Sequence, residues 1–374
     1  MKEETGHKKI CFLLNYGAHY RMPIYEAIGR EFSCDFVFGS KAATDIKPLD
    51  YQKLTGFRRI ARTLRLGKFY WLRGALKLLS EPYDYYVLTG DQFCLTYWLM
   101  LHKAKICRKK MVVWAHGWYG KESRLTRWMK GAFLRKFDQL LIYNERSIHL
   151  LEDLGFDPAR MHCIANSLDS DRQREIRERL TPRKIYREHF HNAAPTLIYC
   201  GRIQAVKRLD VLLDALVLQR RKGQTVNCVF VGKDVDGVNL EGMIKERGLE
   251  HQTWIYGPCY NEEELAELFY NASACVSPGN VGLTAIHALS YGCPVLTHDD
   301  LPWQMPEFEA IEPGVTGDFF HRDDARDLCE RLTPWVVLTT EKREEMRKAA
   351  YAEIDRKWNI HYQLRVLHEV FPDA

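Results

Sequence analysis

The sequence predicts an α/β protein built as two doubly wound, Rossmann-like domains facing each other across a cleft. Three observations predict it. Short apolar runs alternate with longer amphipathic stretches, the pattern of βαβ units on a parallel sheet. The alternation is interrupted by a highly charged stretch and then restarts. A chain of 374 residues is also longer than one hydrophobic core comfortably serves.

In the first half, Lys9–Leu14, Asp35–Phe38, Asp84–Leu88, Met111–Ala115, Gln139–Tyr143 and Met161–Ala165 read as strands. Helical stretches fall around 23–31, 92–102, 123–136 and 145–154. Asp169–Asn192 is dense in charge and ends in NAAP, so the first domain is expected at 1–180 and a linker at 181–194. In the second domain, 195–350, strands are expected at Thr196–Tyr199, Asn227–Val231, Thr253–Tyr256, Ala274–Val276 and Pro294–Thr297. Helices fit at 207–220, 238–247, 262–271 and 283–290. The tail, 351–374, reads as a helix whose apolar end, RKWNIHYQLRVLHEVF, packs back on the first domain.

Composition narrows the function classes. With 46% hydrophobic and 28% charged residues the chain is an ordinary globular one, without repeats or low-complexity tracts. No run approaches the roughly 18–20 apolar residues of a membrane span. The start, MKEETGHKKICFLLNYG, carries two glutamates and a five-residue apolar run, and does not read as a secretory leader. Eleven scattered cysteines with no Cys-x-x-Cys pair point to reduced thiols rather than a disulfide frame or zinc site. The net charge of +5 is unevenly spread: residues 1–165 hold 28 Lys+Arg against 16 Asp+Glu, and the remainder 26 against 33. Two halves of opposite sign imply different partners.

The segment Ser277–Gly317 carries most of the chemistry. It reads as a buried strand ending at Ser277-Pro278, a glycine-bearing loop, and a helix starting near Gly282. Such a junction offers free backbone N–H groups and a positive dipole end to an anion, most often phosphate. Taken alone, it fits an idle strand-to-helix turn as well.

Neighbouring motifs tip that balance. LIYCGRIQAVKRLDVLLDAL from Leu197, WIYGPCYNEEELAELFYNASACVSPG from Trp254, the loop-helix segment itself and PEFEAIEPGVTG occur in order. Together they resemble the nucleotide-sugar domain of retaining GT-B glycosyltransferases of family four, closely over about 195–320 and more loosely in the first half. The resemblance implies the GT-B fold and a nucleotide-diphosphate-sugar donor, UDP-sugar favoured over GDP-sugar. It also implies retention of anomeric configuration, with no metal and no cofactor. Arg202 and Lys207, five apart, would then meet the diphosphate and stabilise the leaving group. Gly201, Asn280 and the amides of Val281, Gly282 and Leu283 would complete the cradle, while Tyr256, Gly257 and Pro258 flank the base.

The family usually places two glutamates eight positions apart here, and this chain has Gly279 and His287 instead. His287 is expected to bond a ribose hydroxyl in place of the second. Glu307, in the acidic loop, is the candidate carboxylate for the donor sugar, and Glu309 matches an acidic position near the donor. In the first domain, His116 of WAHGWYG resembles the histidine that contacts the transferred sugar. His19, Tyr20 and Arg21 are acceptor candidates.

Phe57–Leu79, FRRIARTLRLGKFYWLRGALKLL, holds seven Lys/Arg and no acid. Its apolar residues recur at helical spacing, so a basic amphipathic helix on an anionic membrane is expected, rather than a nucleic-acid surface. The function implied is a cytoplasmic glycosyltransferase, peripheral on the inner face of the cell membrane. It would serve a lipid-linked or oligosaccharide acceptor in bacterial capsule, O-antigen or exopolysaccharide assembly. A catalytically inactive nucleotide-sugar-binding scaffold and a GT-B epimerase are the alternatives.

Overall fold

A computed structural model describes residues 8–40 and 47–374, so part of the amino-terminal stretch read above for a leader lies outside the described residues. The chain divides into two compact units, one formed by residues 1–169 with 360–374 and the other by 170–359.

The first unit contains β1 (Ile10–Leu14), β2 (Cys34–Gly39), β3 (Phe57–Ala61), β4 (Thr63–Leu66), β5 (Phe69–Leu72), β6 (Tyr85–Thr89), β7 (Lys110–Ala115), β8 (Gln139–Ile142) and β9 (Met161–Cys163). Its principal helices are α1 (Met22–Glu31), α2 (Leu95–Ile106), α3 (Arg124–Leu134) and α4 (Glu145–Glu152). Seven strands form a parallel sheet in the order β3-β2-β1-β6-β7-β8-β9. Alternation along the strands feeds two cores. Leu13, Val37, Leu88 and Val113 face one, and Phe12, Phe36, Val87 and Val112 the other. The second core is closed by α1 and by the carboxyl-terminal helix, whose Leu364 and Leu367 are buried there with Phe371 just beyond its end.

The second unit opens with α5 (Ser170–Arg177) and α6 (Ile185–Phe190). It continues through β10 (Thr196–Cys200), α7 (Leu209–Arg221), β11 (Asn227–Val231), α8 (Leu240–Glu246), β12 (Thr253–Gly257), α9 (Glu262–Asn271), β13 (Ala274–Ser277), α10 (Leu283–Ser290), β14 (Val295–His298) and β15 (Gly317–Phe320). After these come α11 (Ala325–Val336) and α12 (Thr340–Arg356), and α13 (Ile360–Val370) returns to the first unit. The six strands run β12-β11-β10-β13-β14-β15, all parallel. The strand order reverses between β10 and β13, and in such sheets ligands bind beyond the strand ends at that reversal.

Three expectations need correction. The charged stretch 181–194 is not a free linker: α6 lies in it, Tyr186 is buried, and the second unit already begins at Ser170. The tail is two helices separated at Lys357–Asn359 rather than one. Most consequentially, Phe57–Leu79 is not a helix. It comprises β3, the β4–β5 hairpin and a 3-10 turn at Ala75–Ser80. A helix would have to carry Gly67 and Gly74 in its interior, at about 1 kcal/mol each. Both sit at positive φ, +59° and +80°, which suits glycine at turns. The hairpin also gains the cross-strand pairs Leu64–Trp71 and Leu66–Phe69.

Candidate functional site

The loops after β10 and β13 meet at the strand-order reversal. Gly201 and Arg202 follow β10, and the chain then makes a short 3-10 turn, Ala205–Lys207, before α7. That turn lies directly on the loop after β13, where the Gly279 N–H donates to the Lys207 carbonyl at 2.9 Å. A β-carbon at Gly279 would stand 2.2 Å from the Val206 carbonyl oxygen and 2.7 Å from the Lys207 Cα. Backbone occupies the space a side chain would need, so a glutamate at 279 does not fit this arrangement.

The same contact aims Lys207. Its ammonium donates to the Asn280 carbonyl at 2.7 Å and to Asn280 Oδ1 at 2.8 Å. Burial and the neighbouring Arg202 cation push this lysine down to about 8, with the Glu307 carboxylate acting in the opposite sense. Two cations and a buried carboxylate therefore converge beside the start of α10. Arg202 remains exposed, and Glu307 is only 2% exposed.

The phosphate-type junction forms, with one difference from expectation. Gly282 caps α10, and the first helical amides after it have no intrahelical partner. The Val281 N–H is already used, donating to Gln304 Oε1 at 2.8 Å. Gln304 Nε2 in turn donates to Thr297 Oγ1 and the His298 carbonyl, so the buried Gln304 braces the loop from beneath. Gly282 and Leu283 are left as the candidate anion donors. Thr284 Oγ1 donates to the Cys200 carbonyl at 3.0 Å, tying α10 to the end of β10.

One turn along α10, His287 is engaged rather than free: its Nε2 lies 2.9 Å from Glu262 Oε1. That oxygen also accepts from Tyr291 Oη at 2.6 Å and Gln173 Nε2 at 2.9 Å. Burial raises the Glu262 carboxyl's affinity for its proton, but His287, Tyr291 and Gln173 outweigh it and hold the group at about 2. Glu262 and Gln304 were missed in the sequence. Their partners lie 25 and 23 positions away, and no local spacing signals them.

Other candidates are more dispersed. Tyr256 Oη donates to Glu264, Gly257 has φ +86°, and Pro258 is exposed. Glu309 lies 4.0 Å from Lys357 Nζ. In the first unit, Arg21 is buried, bonds Tyr143 Oη and lies over the rings of Trp114 and Tyr143. His116 follows β7 with its ring 4.8 Å from that of Tyr143. Although part of its surface is exposed, dense packing followed by the Arg21 and Lys130 cations lowers it to about 4. His19 is exposed with Nδ1 3.3 Å from the Lys47 carbonyl, and Tyr20 packs edge-on against it. Arg21 and His116 are thus brought together, while His19 turns outward.

Among the described residues, no three or more His, Cys, Asp or Glu are grouped to hold a metal ion. No helix there is long and apolar enough to cross a membrane.

Residues 183–353 match the family model for glycosyl transferases group 1. The chain is 24% identical over 215 residues to alpha-D-kanosaminyltransferase of Streptomyces kanamyceticus, covering 56% of this chain and 54% of that protein. It is 29% identical over 175 residues to the D-inositol 3-phosphate glycosyltransferase of Streptomyces scabiei, covering 44% of this chain and 39% of that protein. The chain therefore spans about half the length or less of these curated relatives. Among solved structures, HepE of Anabaena in complex with UDP superposes with a TM-score of 0.75 at 16% identity, over 98% of this chain and all of that one. The apo form of the lipopolysaccharide outer core galactosyltransferase WaaB gives 0.71 at 15%, over 98% and 100%. The chain has the GT-B fold, and its residues 183–353 are similar to the glycosyl transferases of group 1.

Proposed function

We propose that this chain is a retaining glycosyltransferase that moves a sugar from a nucleoside-diphosphate donor to a lipid-linked or oligosaccharide acceptor. A UDP-sugar is favoured over a GDP-sugar; HepE is similar in fold and has been solved with UDP-glucose. The observation that carries the reading is the convergence of Lys207, Arg202 and the α10 start at the strand-order reversal of the second unit.

In this reading the diphosphate displaces Lys207 from Asn280, and Lys207, Arg202 and the Gly282 and Leu283 amides take up the charge that develops as the sugar–phosphate bond breaks. The acceptor hydroxyl attacks from the same face and its proton passes to the departing phosphate oxygen. No metal or cofactor takes part. The His287–Glu262 pair serves the ribose, Glu307 and Glu309 the donor sugar, and Gly201, Tyr256, Gly257 and Pro258 the nucleotide. His116 contacts the transferred sugar, and His19, Tyr20 and Arg21 contact the acceptor. The setting is bacterial surface-polysaccharide assembly at the inner face of the cell membrane.

Donor hydrolysis across a panel of UDP- and GDP-sugars, with Lys207→Ala as the control, tests the proposal. Turnover that disappears in the variant supports it. Binding without turnover, acceptor extracts included, would make the chain a nucleotide-sugar-binding scaffold. Turnover to an isomerised sugar would make it an epimerase.

A further inference from the structure

We propose that the outward face of the β4–β5 hairpin, together with the start of α2, is a docking surface for an anionic lipid bilayer. The register pairs Thr63 with Leu72, Leu64 with Trp71, Arg65 with Tyr70 and Leu66 with Phe69. Opposed residues share a face, so the hairpin has two sides of different fate. Tyr70 and Leu72 are 4% and 0% exposed and belong to the core of the first unit. On the other side Leu64, Leu66 and Phe69 are 45%, 85% and 42% exposed, with Trp71 half-buried beside them. A strand pair normally turns polar residues to water; this one turns Leu64, Leu66 and Phe69 outward.

The outward side is continued by Leu95 and Leu99 on α2, one helical turn apart and both exposed. Leu64, Leu66, Phe69, Trp71 and Leu95 line one shallow, largely apolar hollow, with Arg65 and Tyr70 at its border. The platform is held firmly. The Leu72 N–H donates to Thr96 Oγ1 at 2.8 Å, the Tyr70 N–H donates to the Phe93 carbonyl, and the Phe69 and Phe93 rings meet edge to face.

Charge decides the occupant. Arg62, Lys68 and Arg73 flank the apolar face while Arg65 lies over the Tyr70 ring on the opposite side; none of the four makes an ion pair among the described residues, and no acidic residue occurs between Phe57 and Leu79. A second copy of the chain, docked face to face, would bring these cations against their own equivalents. Nucleic acid would satisfy the cations and leave the leucines in water. An anionic bilayer answers both, with headgroups meeting the arginines and lysines while Leu66 and Phe69 enter the acyl boundary. This surface deepens the proposed action on a lipid-linked acceptor and rests on that reading for its purpose.

The test is co-sedimentation of the full chain with phosphatidylcholine vesicles, with and without phosphatidylglycerol, at low and raised salt. Wild-type protein is expected to pellet with the anionic vesicles at low salt and to be released by salt. The double variant Leu66→Glu with Phe69→Glu should lose about tenfold in vesicle affinity. Arg62→Gln with Lys68→Gln should lose binding most at low salt. Both should keep the wild-type melting temperature and donor hydrolysis in solution. Wild-type protein remaining in the supernatant, or unaltered binding by the Leu66/Phe69 variant, overturns the proposal. So does a Leu66/Phe69 variant that changes oligomeric state in light scattering but not vesicle binding, which would give the face to a second copy. Should wild-type protein bind vesicles yet turn over no donor, the proposed function falls and the surface stands.

Discussion

Lys207 and Asn280, 73 positions apart, are joined by two hydrogen bonds from a single ammonium group, to the backbone carbonyl and the side-chain oxygen of the asparagine. The lysine is thus preorganised before any donor arrives, at the point where the turn after β10 crosses the loop after β13. Lys207→Met should abolish donor turnover, by about 10²–10³-fold in kcat, as removal of a preorganised charge donor does elsewhere. Steady-state kinetics with the preferred donor, beside a thermal melt to establish folding, measures it.

The depressed lysine also predicts a pH profile. In the free protein Lys207 loses its proton as pH rises through about 8, so the alkaline limb of kcat/KM should fall there rather than near the ordinary 10.5. Lys207→Arg should move that limb upward, since arginine stays charged. An unmoved alkaline limb would detach the lysine from the reacting charge.

Gly279→Ala should destabilise the second unit by about 1–3 kcal/mol, the usual cost of forcing atoms into filled space. Gly279→Glu should cost at least as much. Chemical denaturation followed at two wavelengths measures the difference. The effect should be larger than that of alanine at Gly314, where an added β-carbon meets nothing within 4 Å but the backbone is at φ +76°.

Glu262 contributes stability through its low proton affinity. Its folded pKa of about 2 lies below the ordinary 4.5, so that contribution is complete above pH 4.5 and is lost as pH falls from there toward 2. Glu262→Gln should flatten stability over that window and loosen donor binding, and His287→Ala should weaken donor affinity and also shrink the acid limb, since His287 contributes most to holding Glu262 down. Urea titrations across pH, with calorimetry for the donor, separate these outcomes.

His116 takes up its proton well below the range of an ordinary imidazole. Burial, Arg21 and Lys130 lower it to about 4, so it stays neutral throughout the range in which the free protein would turn over. An NMR titration of the imidazoles should show the ring of residue 116 unprotonated at pH 5, its signal assigned by its loss in His116→Gln. The stability tied to its neutral form is present above the ordinary 6.5 and declines as pH falls toward 4.

The repeating strand and helix pattern is readable because the inner parallel strands, such as β1, β7, β11 and β13, are buried on both faces and so appear as continuous apolar runs. Short strands such as β15 (GDFF) and the 170–177 helix left no such run. The stretch 57–79 misled because an apolar side chain at nearly every second or third position satisfies a helical period and a strand period alike. The deciding signal was present: Gly67-Lys68, a two-residue connection between Leu66 and Phe69, is hairpin chemistry. At the site, the residues adjacent in sequence to the loop after β13 could be named from that loop. Gln304 and Glu262 could not, since their roles arise only when β14 and α9 are folded against α10.

The seat of the 205–208 turn on Gly279 also constrains which sequences are reachable from this one. A glutamate at 279 collides with backbone, and a glutamate at 287 would set a second negative charge against Glu262, where a neutral or cationic imidazole now accepts its company. Each single step toward a two-glutamate site is blocked, one by volume and the other by charge. The route between the two arrangements requires the turn to move and Glu262 to be replaced first, so substitutions here depend on the order in which they are made.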